Sequence, residues 1–339
     1  MAENLWAIGV DLGGTKIEVA RVGAEGKLSQ RLRRPTNIQS GPAAVKAEIV
    51  AAVRDLQEGA SSLPAGVGVG VAGQVDSKRG LVRFAPNLGW RDEPLQPDLS
   101  QTLGLPVVIV NDVRAATLGE WLYGAGQGCN DLICLFVGTG IGGGVVSGGQ
   151  MLSGCSNTAG ELGHITIDTE GPSCHCGNQG CLEALAGGWA IARQAKDAVT
   201  ANQVAGASLL KMAGGHSDAI TAEIVAQAAK ASDPVAVHLI DNVAQALIAG
   251  VVSLVNAFNP CRLILGGGVM EGLPELVQRI DQSVRQRALA AAIEPLQILP
   301  AQLHNDAGVV GAAALAMQTF NRLFSHGGYR GHREKQSKI

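Results

Sequence analysis

Cys174, Cys176 and Cys181 fall within one eight-residue run, Cys174-His175-Cys176-Gly177-Asn178-Gln179-Gly180-Cys181, directly ahead of Leu182 and Glu183. Three thiolates this close, with two glycines to turn the backbone, can wrap one tetrahedral cation and need a single further ligand. Two histidines are at hand: His164, in Gly160-Glu161-Leu162-Gly163-His164, and His175, which stands between two of the thiols. Spacing does not choose between them, although a ring flanked on both sides by ligands has awkward geometry. The chain holds seven cysteines in 339 residues, so this density points to a zinc knuckle rather than to ordinary buried thiols. An odd cysteine count with three clustered ligands fits a reducing cytoplasm better than a disulfide scaffold. Cys129, Cys134, Cys155 and Cys261 read as small core residues.

Two glycine turns form the second chemical feature. Asp11-Leu12-Gly13-Gly14-Thr15-Lys16 lies between the apolar runs Leu5–Val10 and Ile17–Val22, and Gly138-Thr139-Gly140-Ile141-Gly142-Gly143 lies between two more. The first is not a P-loop, because Thr15 precedes Lys16 where that motif needs the reverse order. The second matches the dinucleotide fingerprint, but Val145-Val146 continue a strand where a helix should begin. Each reads instead as a β-hairpin turn whose backbone N–H groups face phosphate oxygens, with Thr15 and Thr139 adding hydroxyl donors. Asp11 would repel phosphate directly but suits a hydrated Mg²⁺ that bridges to it. Lys16 either neutralises phosphate charge or points to solvent.

Asn111-Asp112 ends the apolar run Pro106–Val110, at the strand end where open α/β sheets present ligands. An aspartate there can accept the proton of a hydroxyl nucleophile, or simply cap the helix that follows. Asn87, Glu161, His164 and Glu183 form a polar set suited to paired sugar hydroxyls, though each alone is equally an ordinary turn or cap residue.

The elements that must position these groups alternate. Pro42–Glu58 has helical spacing, Gly66–Val71 and Pro106–Val110 read as strands, and Val113–Leu122 turns helical. Ser232-Asp233-Pro234 starts a helix that runs to about Asn259-Pro260. Cys261–Leu265 reads as a strand entering Gly266-Gly267-Gly268, and the alanine-rich Asn305–Met317 as a closely packed helix able to return to the first domain. This is α/β organisation, and two hairpin–turn units heading two halves indicate an internal duplication. The expected domains are 1–115, with a helix at about 305–322 packing back onto it, and 116–304, which carries the zinc knuckle at 164–181. A basic tail at 325–339 reads as solvated and disordered.

A net charge of −3, from 26 Lys and Arg against 29 Asp and Glu, gives no attraction to nucleic acid or membrane. Val243–Phe258 carries Gln245, Ser253 and Asn256 and reads as a buried helix too short to span a bilayer. No secretory signal is visible, and a cytoplasmic protein is expected.

Asp11-Leu-Gly-Gly-Thr-Lys16, Asn87-Leu-Gly-Trp90, Asn111-Asp112, Gly138-Thr-Gly-Ile-Gly-Gly-Gly144, Gly160-Glu-Leu-Gly-His164 and Cys174-x-Cys-Gly-x-x-Gly-Cys-x-Glu183 occur in this order along residues 6 to 320. Together they resemble the ROK family of sugar kinases and sugar-responsive repressors. The resemblance implies an actin-like, hexokinase-type duplicated ATPase fold with two α/β domains around a cleft. It makes Asp112 the general base that activates the 6-hydroxyl of a hexose, most readily glucose, for attack on the γ-phosphate of ATP. Asn87, Asn111, Asp112, Glu161, His164 and Glu183 would contact the sugar. Mg²⁺ with Asp11, Gly13, Gly14, Thr15, Lys16, Gly138, Thr139, Gly140, Gly142 and Gly143 would hold the phosphates, and Gly266, Gly267 and Gly268 would lie near the adenosine. It also selects His164 beside Cys174, Cys176 and Cys181 as ligands of a structural Zn²⁺. A homodimer or homotetramer is expected.

The alternatives are a kinase for N-acetylmannosamine, N-acetylglucosamine or fructose, or a non-catalytic sugar sensor. Asp92-Glu93-Pro94-Leu95 after the Asn87 segment looks more like glucokinase members, and intact Asp112 argues against a silent protein. A repressor would need a DNA-binding domain, and only ten residues precede Asp11. The chain departs from the family pattern at three places: Arg114 where Asn is common, Cys155-Ser156 in place of small residues, and Ala184 where a hydroxyl residue is common.

Overall fold

The computed structural model describes residues 5–320; the expected tail from residue 325 lies outside the described residues. The chain divides into two compact units. The described part of the first comprises residues 5–124, 154–158 and 305–320, and the second comprises Ala125–Ser153 and Ala159–His304. The first unit takes in the whole Asp112–Tyr123 helix, where the sequence reading set a boundary at residue 115.

In the first unit, β1 (Trp6–Leu12), β2 (Lys16–Gly23), β3 (Leu28–Pro35) and β4 (Val67–Val71) precede a ribbon of β5 (Gln74–Asp76), β6 (Leu81–Ala85) and β7 (Trp90–Glu93), and then β8 (Val107–Asn111). The main sheet runs β3-β2-β1-β4-β8. β1 and β2 are an antiparallel hairpin, while β1–β4 and β4–β8 are parallel. The period-two pattern of β1 sends its residues to two buried faces. Trp6, Ile8, Val10 and Leu12 pack with Val45, Ile49, Val53 and Leu56 of the Gly41–Gln57 helix. On the other face Ala7 meets Val309 and Ala313 of the Ala307–Phe320 helix. That helix lies unusually close: a Cβ on Gly9 would overlap the Val309 carbonyl and one on Gly68 the Ala312 carbonyl. Gly311 likewise admits the Ala115 carbonyl of the Asp112–Tyr123 helix. The alanine and glycine run thus becomes a backbone-to-backbone contact that holds the Asp112 helix against the sheet.

The second unit repeats the plan. β9 (Leu132–Val137), β10 (Ile141–Ser147), β11 (Gln150–Met151), β12 (Arg262–Gly266) and β13 (Gln297–Pro300) run β11-β10-β9-β12-β13. β9–β10 is the antiparallel hairpin, and β9–β12 and β12–β13 are parallel. Strand for strand, this is the order and polarity of the first sheet. Pro234–Phe258 is the central helix: Asp233 Oδ1 accepts from Ala236 N, proline opens the first turn, and Asn259 closes it at φ 46°. Its 25 residues are long enough to cross a bilayer, so the length argument made from the sequence is corrected. Val243, Leu247, Val251 and Leu254 are nevertheless buried in this unit's core, with Leu135, Leu182 and Leu265.

Candidate active site

β1 and β2 form a tight hairpin because the apolar runs pair in register from Trp6↔Gly23 to Leu12↔Ile17. The turn between them is tied down by its carbonyls. Thr36 Oγ1 donates to Gly13 O at 2.8 Å, Thr36 N to Thr15 O at 3.0 Å, and Ala72 N to Leu12 O at 3.2 Å. No partner among the described residues holds the N–H groups of Gly14 and Thr15. The second turn is built the same way. Gly188 N donates to Gly138 O and Trp189 N to Thr139 O, both at 2.9 Å, leaving Thr139 and Gly140 N–H without a partner among the described residues. Two turns whose carbonyls are consumed and whose N–H groups remain make anion nests. Thr36, Gly188 and Trp189, which shape these nests, carry no motif that would have disclosed them.

Several residues assigned to the turns from sequence have other places. Gly142 and Gly143 lie inside β10, opposite Phe136 and Leu135, and a Cβ on Gly143 would overlap the Leu162 side chain. Lys16 is tied by its ammonium to Glu18 at 3.1 Å, and Arg33 contacts the other oxygen of that buried carboxylate at 3.1 Å. Gly266 ends β12, and Gly267, at φ 90°, stands where a Cβ would press on the Val137 backbone. The Gly266–Gly268 turn therefore abuts the strand end that leads into Gly138.

The β8 end shows which residue caps the helix that follows. Asn111 is the cap: its Oδ1 accepts from Arg114 N at 3.1 Å, and its Nδ2 donates to Gly73 O at 3.1 Å and to Asp112 Oδ1 at 2.9 Å. Asn111 thereby aims Asp112, which opens the helix beside Asp11. Burial first, then the Asp112 and Glu18 charges, raise the Asp11 carboxyl to about 7, against a partial offset from Lys16. Such a carboxylate favours a cation, which fits Mg²⁺ at Asp11. Asn87 is exposed in the Pro86–Leu88 turn, and a Cβ on Gly14 would stand 3.0 Å from its carbonyl oxygen.

In the second unit, His164, Cys174, Cys176 and Cys181 offer ligand atoms that all lie within 4.8 Å of one another. Cys176 Sγ and Cys181 Sγ are 3.7 Å apart, as are Cys174 Sγ and His164 Nδ1. Ligands at about 2.3 Å for sulfur and 2.0–2.1 Å for nitrogen give tetrahedron edges of about 3.6–3.8 Å, so the set fits one Zn²⁺-sized cation. Burial pushes the Cys174 thiol up to about 12, and a bound dication would displace that proton. His175 is exposed and its ring stacks on Trp189 at 4.1 Å. The other four cysteines divide: Cys129 and Cys134 are buried, whereas Cys155 and Cys261 are exposed. The core reading of the last two is corrected, because one lies in the Gly154–Thr158 crossing and the other just ahead of β12.

Glu161 is exposed ahead of the Leu162–His164 turn. Glu183, two residues beyond Cys181, accepts from Ile141 N at 2.8 Å and from Trp189 Nε1 at 3.2 Å. These partners occupy half of its roughly four acceptor positions.

The ROK family model matches residues 7–319. This chain belongs to the ROK family. A glucokinase of Halalkalibacterium halodurans is 37% identical over 322 residues, 94% of this chain and 97% of that protein. A ROK family glucokinase from Streptomyces griseus, solved with glucose and AMPPNP, has a TM-score of 0.80 at 41% identity over 92% of this chain and 99% of that one. The ROK hexokinase from Thermus thermophilus has a TM-score of 0.79 at 34% identity over 93% and 100%. The duplicated sheets are accordingly those of the actin-like, hexokinase-type fold expected from the motifs.

Proposed function

We propose that this ROK protein is an ATP-dependent glucokinase that makes glucose 6-phosphate. The observation that carries the reading is the pair of like-built turns, each offering backbone N–H groups, together with a carboxylate aimed by the residue before it. The likeness to glucokinases over nearly the whole chain selects the substrate pair.

Asp112 accepts the proton of the sugar 6-hydroxyl as that oxygen bonds to the γ-phosphorus. The bond from that phosphorus to its bridging oxygen breaks, and ADP leaves. Asn111 keeps the carboxylate in position, so the contribution is general-base catalysis with a pre-oriented base. Gly14, Thr15, Thr139 and Gly140 supply N–H donors to phosphate oxygens, and charge spread over those oxygens is what such donors stabilise. Mg²⁺, when bound, neutralises phosphate charge, and Asp11 is the residue that would hold it. Asn87, Glu161 and Glu183 take sugar hydroxyls.

Zn²⁺ would be structural, with four protein ligands and no open position. His164 serves both the metal and the sugar: its Nδ1 faces Cys174, so Nε2–H is the atom left to donate to a hydroxyl. The test is ADP release with Mg-ATP against glucose, mannose, fructose, N-acetylglucosamine and N-acetylmannosamine. Turnover greatest with glucose supports the reading. Turnover confined to an N-acetyl sugar would keep Asp112 and reassign the substrate.

A further inference from the structure

Trp189 touches all three functional features of the second unit. Its backbone N–H holds the Thr139 carbonyl of the phosphate turn at 2.9 Å. Its indole Nε1–H donates to Glu183 Oε1 at 3.2 Å, while Ile141 N holds the other oxygen at 2.8 Å. Its ring stacks on His175, between two ligands of the cysteine knuckle, with centroids 4.1 Å apart and planes at 24°. The other face of the environment is set by Arg193, whose guanidinium lies 5.2 Å from the Trp189 centroid and which donates to Ala184 O at 3.2 Å. Beneath it lie Cys174, Cys181 and Ala184.

We propose that Trp189 is a positioning residue that fixes Glu183 for the sugar and couples the state of the metal knuckle to that carboxylate. This rests on the glucokinase reading of Glu183. A glutamate side chain has three rotatable bonds and loses substantial freedom when held. Here the two N–H groups absorb that cost before substrate arrives, and the remaining acceptor positions meet the hydroxyls pre-oriented. Without the indole N–H, Glu183 keeps only its Ile141 anchor, and each glucose must order it anew. The path from metal to sugar is short and physical: knuckle, His175 ring, indole ring, indole N–H, carboxylate.

The experiment compares wild type with Trp189→Phe and Trp189→Leu. Phenylalanine keeps a ring against His175 but has no N–H; leucine removes both. For Trp189→Phe, glucose Kd by calorimetry and glucose KM should each rise about tenfold, the scale of one hydrogen bond to a charged group. Its kcat, ATP KM and zinc content should stay within about twofold, since it leaves the base and the backbone of the turn intact. Trp189→Leu should show the same glucose defect and also lose zinc to a chelator several-fold faster. A readout free of activity accompanies these. Trp6, Trp90 and Trp121 all lie in the first unit, so the fluorescence change on chelating zinc should be present in wild type and absent in both variants. Unchanged glucose affinity in Trp189→Phe, or an equal fall in kcat and ATP affinity, would overturn the inference. Wild type that neither binds nor phosphorylates glucose would instead overturn the reading on which it rests.

Discussion

Replacing Asp11 by Asn should stabilise the ligand-free protein at alkaline pH while abolishing turnover. The carboxyl is raised from 3.8 to about 7, chiefly by burial and next by Asp112 and Glu18. At about 1.4 kcal/mol per unit, keeping it ionised above pH 7 costs up to about 4 kcal/mol, and about 2 kcal/mol once its acidic neighbours relax. Asn keeps the shape and carries no charge. The sign follows from linkage: a raised pKa contributes stability that is full below about 3.8 and lost as pH rises through about 7. Asp11→Asn and wild type should therefore be closest in stability below about pH 4, diverge between about pH 4 and 7, and differ by about 2 kcal/mol at pH 8. Urea unfolding without nucleotide, sugar or Mg²⁺ reads this, with all other titrating groups common to both proteins. A gap that is the same at pH 4.5 and 8, or Asp11→Asn less stable at pH 8, would refute the assignment of a strained charge at this position. Retained kinase activity would refute its role toward Mg²⁺.

Asp112→Asn should cut kcat by about 10²–10⁴ and leave glucose binding by calorimetry nearly unchanged, because Asn accepts Asn111 Nδ2 but cannot take a proton; survival of activity within tenfold would mean another base. Cys176→Ser should lower bound zinc below one per chain in metal analysis and raise glucose KM, and unchanged stoichiometric zinc would break the ligand set. Gly68→Val should destabilise by at least about 3 kcal/mol, since the added Cβ meets the Ala312 carbonyl rather than a movable side chain; a urea midpoint matching wild type would contradict the close helix contact.

The parts of the fold legible in the sequence are those specified locally. Apolar runs flanking a Gly-Thr turn give the two hairpins, and Asp233-Pro234 marks the first turn of the long helix. Small residues at 307–316 foretell close packing, though not which carbonyls they admit. The knuckle was legible because cysteine density is itself the signal; choosing His164 over His175 needed the family pattern, and the structure brings His164 Nδ1 to Cys174. Illegible features depend on partners distant in the chain. Thr36 shapes the first turn from 23 residues away, and Glu183 reaches Ile141 across 42. The ribbon β5–β7 has strands of three to five residues, too short for periodicity to register. Asn111 reads from the motifs as a sugar contact; its hydrogen bonds to Gly73, Asp112 and Arg114, which hold Asp112 and cap its helix, carry no signal in the sequence.

Transfer of the γ-phosphoryl group of ATP to the 6-hydroxyl of glucose is tested in one step by phosphorus NMR of the product formed from glucose and Mg-ATP. A single new phosphomonoester on carbon 6, formed in equal amount with ADP, is expected. A phosphate on another carbon, or ADP formed with no sugar phosphate, would contradict it.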